Sequence, residues 1–205
     1  FNEMADTIVQ NMEDLKTKLL KKPKVVAVNY ACNGVGTISD VQQILRLAHE
    51  VDAITVVDAV HYAAHGPIDV RKLDADFLLC SAYKFFGPHI GVMYAKNDIL
   101  GKLNPLNLRT QRQSPPFMLE TGTLHHEGIA GAFAAVEFIA DIGLKFGNQM
   151  DWIAEDLKSS RRNRILAGLQ VFEHYEMALT RYLIEAITSN IPRANHDFQS
   201  YLTPN

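Results

Sequence analysis

The chain has 205 residues, 47% hydrophobic and 21% charged, the balance of an ordinary globular protein with room for a sizeable core. A net charge of -3 offers no basic stripe for nucleic acid, and no apolar run approaches the ~20 residues of a membrane span. Two cysteines, Cys32 and Cys80, make no disulfide framework and point to a reducing, cytoplasmic compartment.

The opening stretch, "FNEMADTIVQNMEDLKTKLLKK", is a charged amphipathic pattern rather than a secretory signal. Its apolar residues Met4, Ile8, Met12, Leu15 and Leu19 fall near a 3.6 period and predict a helix that Pro23 stops. The first residue is Phe, so the chain is expected to be a piece of a longer one. "KVVAVNYA" (24–31) is a nearly continuous apolar run, the pattern of a strand in a sheet covered on both faces. A Gly-rich turn, "CNGVGT", leads to a helix over "SDVQQILRLAHEVD", with Ser39 as its expected N-cap. "AITVVDAV" (53–60) is the next strand, "PIDVRKLDA" a short crossover, and "DFLLCSAY" (76–83) a third strand. "GVMYAKN" (91–97) follows a link too short for a parallel crossover, which predicts an antiparallel neighbour.

Residues 98–126, with Pro105, Pro115 and Pro116, read as a long loop of the kind that is usually functional. From Glu127, "EGIAGAFAAVEFIADIGLKFG" is helical, and a longer helix is expected from about Asp151 to Asn190. Strands alternating with helical segments predict an α/β fold, a mostly parallel sheet with helices on both faces. Residues 1–150 form the expected core domain, and 151–205 a linking helix with the start of a smaller domain.

In open α/β sheets, ligands bind beyond the carboxyl ends of the strands. There the chain gathers Asn33 after the first strand, Asp58 and His61 after the second, and Ser81, Tyr83 and Lys84 after the third. Each has a plain structural reading: a lysine stem lies readily along apolar surface, and a strand-end aspartate caps a helix or pairs with arginine. Together, an amine and a carboxylate buried in "VVDAV" suggest more. An amine can form a Schiff base with an aldehyde, and a fixed carboxylate can hold a pyridine nitrogen protonated. At about 4 Å and an effective dielectric near 20 that attraction is about 4 kcal/mol, roughly a thousandfold in proton affinity. This pairing is the binding pattern of pyridoxal phosphate.

Two other signals weigh less. His61 and His65, with His125, His126 and Glu127, hint at a metal, but "HYAAHGP" is too short and Pro-broken for a secure chelating helix, and no metal is expected. "CNGVGT" lacks the full dinucleotide-binding spacing. Cys32 and Cys80 read as small buried hydrophobes.

"NYACNGVGTISDVQQI", "VVDAVHYAAHGPIDVRKLDADFLLCSAYKFFGPHIGVMY" and "ETGTLHHEGIAG" closely resemble the cysteine desulfurase-like branch of the class-V aminotransferases, enzymes of fold-type I. The resemblance runs in order from about residue 24 to about 190. It implies that Lys84 is the Schiff-base lysine, also shuttling protons, and that Asp58 is the pyridinium partner. It further implies that Asn33 and His61 lie near the ring's phenolic oxygen, and that Ser81 holds the phosphate. Tyr83 stands where many desulfurases have a histidine. Thr123, within "ETGT", would reach the cofactor phosphate of a neighbouring subunit, which implies a homodimer with shared active sites.

The implied activity is removal of sulfur or selenium from a cysteine-like amino acid. A class-V aminotransferase, an epimerase or a kynureninase-like hydrolase would use the same core. A catalytically incomplete chain acting as a binding or interaction module is the alternative of another kind. By the same resemblance, the ring-stacking aromatic, the first phosphate turn, the substrate-carboxylate arginine and a catalytic-cysteine loop are expected outside this stretch.

Overall fold

The computed structural model describes residues 11–149 and 160–190. Met4 and Ile8 of the first helix, the beginning of the last one and the tail beyond Asn190 lie outside the described residues. The chain divides between Glu137 and Phe138 into two compact units.

In the first unit, helix α1 (Met12–Leu19) is capped by Asn11, whose side chain accepts from the Glu13 and Asp14 amides. It ends ahead of Pro23, with Lys22 in the left-handed region at φ 50°. Strand β1 (Val25–Asn29) leads to α2 (Val41–His49), β2 (Ile54–Asp58), α3 (Val70–Leu73), β3 (Phe77–Ser81), β4 (Gly91–Ala95) and α4 (Asn97–Leu100). The expected helix cap at Ser39 falls one residue later. Asp40 accepts from the Gln43 amide, while the Ser39 hydroxyl donates to the Asn29 carbonyl, tying the turn back to β1.

The sheet order is β1-β2-β3-β4, with β1, β2 and β3 parallel and β4 antiparallel as its short link requires. Registers pair Asn29 with Asp58, Asp58 with Leu79, and Ser81 with Gly91. The mostly parallel α/β character matches the sequence. Successive right-handed crossovers between adjacent strands all fall on the same side. That side is packed: Val41, Ile44, Leu45 and Ala48 of α2 cover Val26, Val28, Val57 and Leu78. Burying one such aliphatic side chain contributes about 1.5–3 kcal/mol. On the other side β1 alternates, with Val25, Ala27 and Asn29 exposed, and Leu79 and Met93 are exposed beside it. The continuous apolar run thus has one face open among the described residues.

Between β4 and the next long helix the chain is mostly loop, as expected, broken by α4 and a short 3-10 turn at Phe117–Leu119. Helix α5 (His126–Phe146) follows, and α6 (Arg161–Asn190) is the long helix of the second unit. Within that second unit α5 and α6 meet at two glycines. A Cβ on Gly143 would come within 1.9 Å of the Arg164 carbonyl, and one on Gly168 within 2.0 Å of the Ile139 carbonyl. Only hydrogen fits at either place. No helix among the described residues is long and apolar enough to cross a membrane.

Candidate active site

The carboxyl ends of β1 to β3, and the start of the antiparallel β4, form one rim. Asp58 closes β2 and Ser81 closes β3, on strands that pair directly. Asp58 accepts from the Val60 amide at 3.0 Å through Oδ1, and its backbone carbonyl takes the Tyr30 amide at 2.8 Å. The other carboxylate oxygen has no hydrogen bond among the described residues.

The sequence reading of Asp58 as buried is corrected: it is exposed. A strand-end residue is buried only by what packs over the rim, and the packed side of the sheet is the opposite one. In water, the attraction of Asp58 for a positive charge at about 4 Å falls to about 1 kcal/mol and grows as the rim is covered.

Lys84 stands in a 3-10 turn (Ala82–Phe85) directly after β3. It is half-buried, and no carboxylate among the described residues lies within ion-pairing distance of its ammonium. Its Nζ lies 5.4 Å from the centre of the Tyr83 ring, and Tyr83 is itself stacked on His89 at 5.0 Å. The turn is tight: the Gly87 amide donates to the Ala82 carbonyl at 2.8 Å, and a Cβ on Gly87 would sit 2.9 Å from that same oxygen. Phe86 is held at φ 68°, an unusual conformation for a bulky residue and a mark of local strain.

His61 precedes the 3-10 turn Tyr62–Ala64, which packs against the Lys84 turn. Its ring lies 4.9 Å from that of His65. Tyr62 stacks on Tyr30 at 4.0 Å and 7°, fastening the His61 turn to the end of β1. Burial raises the Tyr30 hydroxyl's pKa, and the hydrogen bond with Tyr62 offsets part of that rise. Sequence reasoning missed the Tyr30–Tyr62 stack; aromatics flanking the expected turns were its only signal.

Asn33 is less direct than the sequence suggests. It lies four residues beyond β1, exposed, in a turn closed by the Gly36 amide to the Cys32 carbonyl at 2.9 Å, with Gly36 at φ 75°. Thr123 is exposed on the loop three residues before α5. Asp58, His61, Ser81, Tyr83 and Lys84 are thus carried on paired strands and packed turns, Asn33 on the turn after β1, and Thr123 on the loop ahead of α5. Cys80 is half-buried, and burial pushes its thiol up; Cys32 is also free and half-buried. Among the described residues no His, Cys, Asp and Glu cluster fit to hold a metal is present.

One rim of the α/β sheet thus carries an amine with no ion pair among the described residues, an exposed carboxylate and a hydroxyl. The chain belongs to the aminotransferase class-V family, whose profile matches residues 2–202. It is 35% identical over 145 residues to a probable cysteine desulfurase of Halalkalibacterium halodurans, covering 65% of this chain and 36% of that protein. A probable cysteine desulfurase of Synechocystis is 31% identical over 180 residues, covering 86% of this chain and 39% of its own length. The apo structure of a cysteine desulfurase from Thermococcus onnurineus superposes with a TM-score of 0.59 at 25% identity, over 74% of this chain and 45% of that one. An Escherichia coli cysteine desulfurase gives 0.57 at 27% identity, over 66% and 39%. The chain therefore spans less than half the length of these relatives.

Proposed function

We propose that the chain is part of a pyridoxal-phosphate enzyme whose cofactor is anchored at Lys84, and that it acts on a cysteine-like amino acid as a carbon–sulfur or carbon–selenium lyase. The observation that carries this reading is a half-buried lysine with no acidic partner among the described residues, on the same strand-end rim as an exposed aspartate. The donor set fits the group: an amine for its aldehyde, a carboxylate for its ring nitrogen, hydroxyls for its phosphate. When bound, pyridoxal phosphate supplies an electron sink for bond cleavage next to the substrate's amino group.

The roles of the chain's own residues follow from their chemistry. Lys84 Nζ holds the cofactor and then moves a proton to or from the substrate's α-carbon. Asp58 Oδ2 holds a proton at the ring nitrogen. Ser81 and Tyr83 donate hydroxyls to the phosphate, and His61 and Asn33 donate to the ring oxygen. Thr123 is exposed ahead of the N-terminus of α5, which leaves it open to a second copy of the chain and supports reading the working form as a homodimer with shared sites. The free thiols Cys32 and Cys80 support a cytoplasmic setting.

The lyase reading draws on the relatives named as cysteine desulfurases; the family's own description favours transamination as the second reading. Titrating pyridoxal phosphate into the protein and into Lys84→Ala, and following visible absorbance, tests the anchor. The wild type should saturate and the variant should lose the band. An unchanged band in Lys84→Ala would remove Lys84 from its role. Adding cysteine with a thiol reductant and a keto-acid acceptor then separates the reactions: sulfide marks the lyase, and a cysteine-derived keto acid without sulfide marks the aminotransferase.

A further inference from the structure

The loop that carries Lys84 is closed at its neck. The Ala82 amide donates to the Ile90 carbonyl at 2.8 Å, next to the Ser81–Gly91 strand pair. Between these points the loop has little freedom: Phe86 is fixed in the left-handed region, Gly87 has no room for a Cβ, and Pro88 has its φ set by its ring. Tyr83 and His89 stand on opposite limbs just inside the neck. Closure brings their rings to 5.0 Å at 16°, a stacked pair.

Tyr83 is 45% exposed, so packing alone does not hold its ring; the stack does. The Lys84 ammonium lies 5.4 Å from that same ring and has no ion pair among the described residues.

We propose that His89 is a positioning residue for Lys84: by stacking on Tyr83 it fixes the ring against which the lysine rests, and so sets where Nζ is presented on the rim. This rests on Lys84 being the cofactor anchor, and it assigns His89 no contact with the cofactor itself. The stack is made by the loop's own residues, which is how a binding constellation is preorganised.

The test uses the whole chain without cofactor. Limiting acetic anhydride is added, and peptide mass spectrometry gives the acetylation of Lys84 relative to Lys72 as an internal reference. His89→Ala should raise the relative reactivity of Lys84 about two- to five-fold, the rate equivalent of releasing one exposed cation–ring contact. Tyr83→Ala should raise it at least as much. His89→Phe keeps a flat ring and should return the wild-type ratio, which a merely structural role for His89 would not explain. An unchanged ratio in His89→Ala, or a His89→Phe as reactive as His89→Ala, overturns the proposal. In parallel, pyridoxal phosphate with borohydride is applied to the wild type. Failure of that adduct at Lys84 overturns the cofactor reading, while the acetylation ratio still decides the role of His89.

Discussion

Asp58 and Asp76 are both aspartates at the ends of the same sheet, and their surroundings are opposite. Asp76, just ahead of β3, is 5% exposed and fully engaged. Its Oδ2 accepts from the Thr55 amide at 2.9 Å and the Thr55 hydroxyl at 3.1 Å, with the His49 ring at 3.3 Å. Its Oδ1 meets the Lys96 ammonium at 2.8 Å, and Lys96 also pairs with Asp74 at 2.7 Å. Asp58, at the other end of the strands, has a single backbone donor and open water. The same contrast holds for the lysines, Lys96 clasped by two carboxylates and Lys84 by none among the described residues. A charge whose partners are all supplied by the fold has nothing left to offer a ligand. The satisfied end holds the sheet together, and the other end keeps polar groups open to solvent, as the proposed site requires. Even the open groove lined by Arg46, His49, Lys72 and Asp74 lies at the satisfied end, with Arg46 already paired to Glu50 at 2.6 Å.

The contrast can be broken most sharply with Asp76→Ala, which strands the buried Thr55 amide and takes one of two partners from Lys96. The expected loss is about 3 kcal/mol, the low end for breaking a buried pair because Asp74 remains. Urea unfolding followed by circular dichroism reads it, and a loss below about 1 kcal/mol would mean that the cluster is not a clasp.

Gly87→Ala comes next, at about 1–3 kcal/mol, since its Cβ would press on the Ala82 carbonyl. That result would show that the rim's rigidity comes from backbone closure and not from polar pairing; a silent substitution would contradict it.

Titration gives a smaller and signed effect. Burial pushes the Asp76 carboxyl up, but Lys96, the Thr55 amide and His49 outweigh it and hold it below the usual carboxylate range. Its stabilisation is therefore present above the unfolded value of about 4 and is lost as pH falls through the lower folded value. Burial pulls Lys96 down, but Asp74 and Asp76 raise it overall, so its contribution is present below about 10.4 and is lost as pH rises through the folded value. Melting temperature against pH should slope at both ends in the wild type, and Asp76→Asn should flatten the acid slope. The smallest effect belongs to Asp58→Asn and Lys84→Ala, each expected within about 0.5 kcal/mol of wild-type stability. A larger cost in either would make the rim structural after all.

The strands were legible in the sequence to within two residues or so at each end, because unbroken apolar runs bounded by Gly, Pro and Asp leave few other conformations. The antiparallel turn of β4 was legible from loop length alone. The open face of the sheet was not, since it depends on strand order, which no single run encodes. Nor was the Asp76 cluster, whose partners Thr55 and His49 lie 21 and 27 residues away in the chain. Asp58, His61, Ser81, Tyr83 and Lys84 converged because they sit at ends that strand pairing aligns. Asn33 was legible as a residue following the first strand and Thr123 rested on resemblance; loop conformation, not periodicity, decides where each points.

The most direct measurement sets Lys84 against Lys96 in one sample. The intact chain is incubated with limiting pyridoxal phosphate, reduced with borohydride, digested and mapped by mass spectrometry. The account predicts that the pyridoxyl group concentrates on Lys84 and leaves Lys96 unmodified. Adducts spread over exposed lysines, or found on Lys96 with Lys84 untouched, would contradict it.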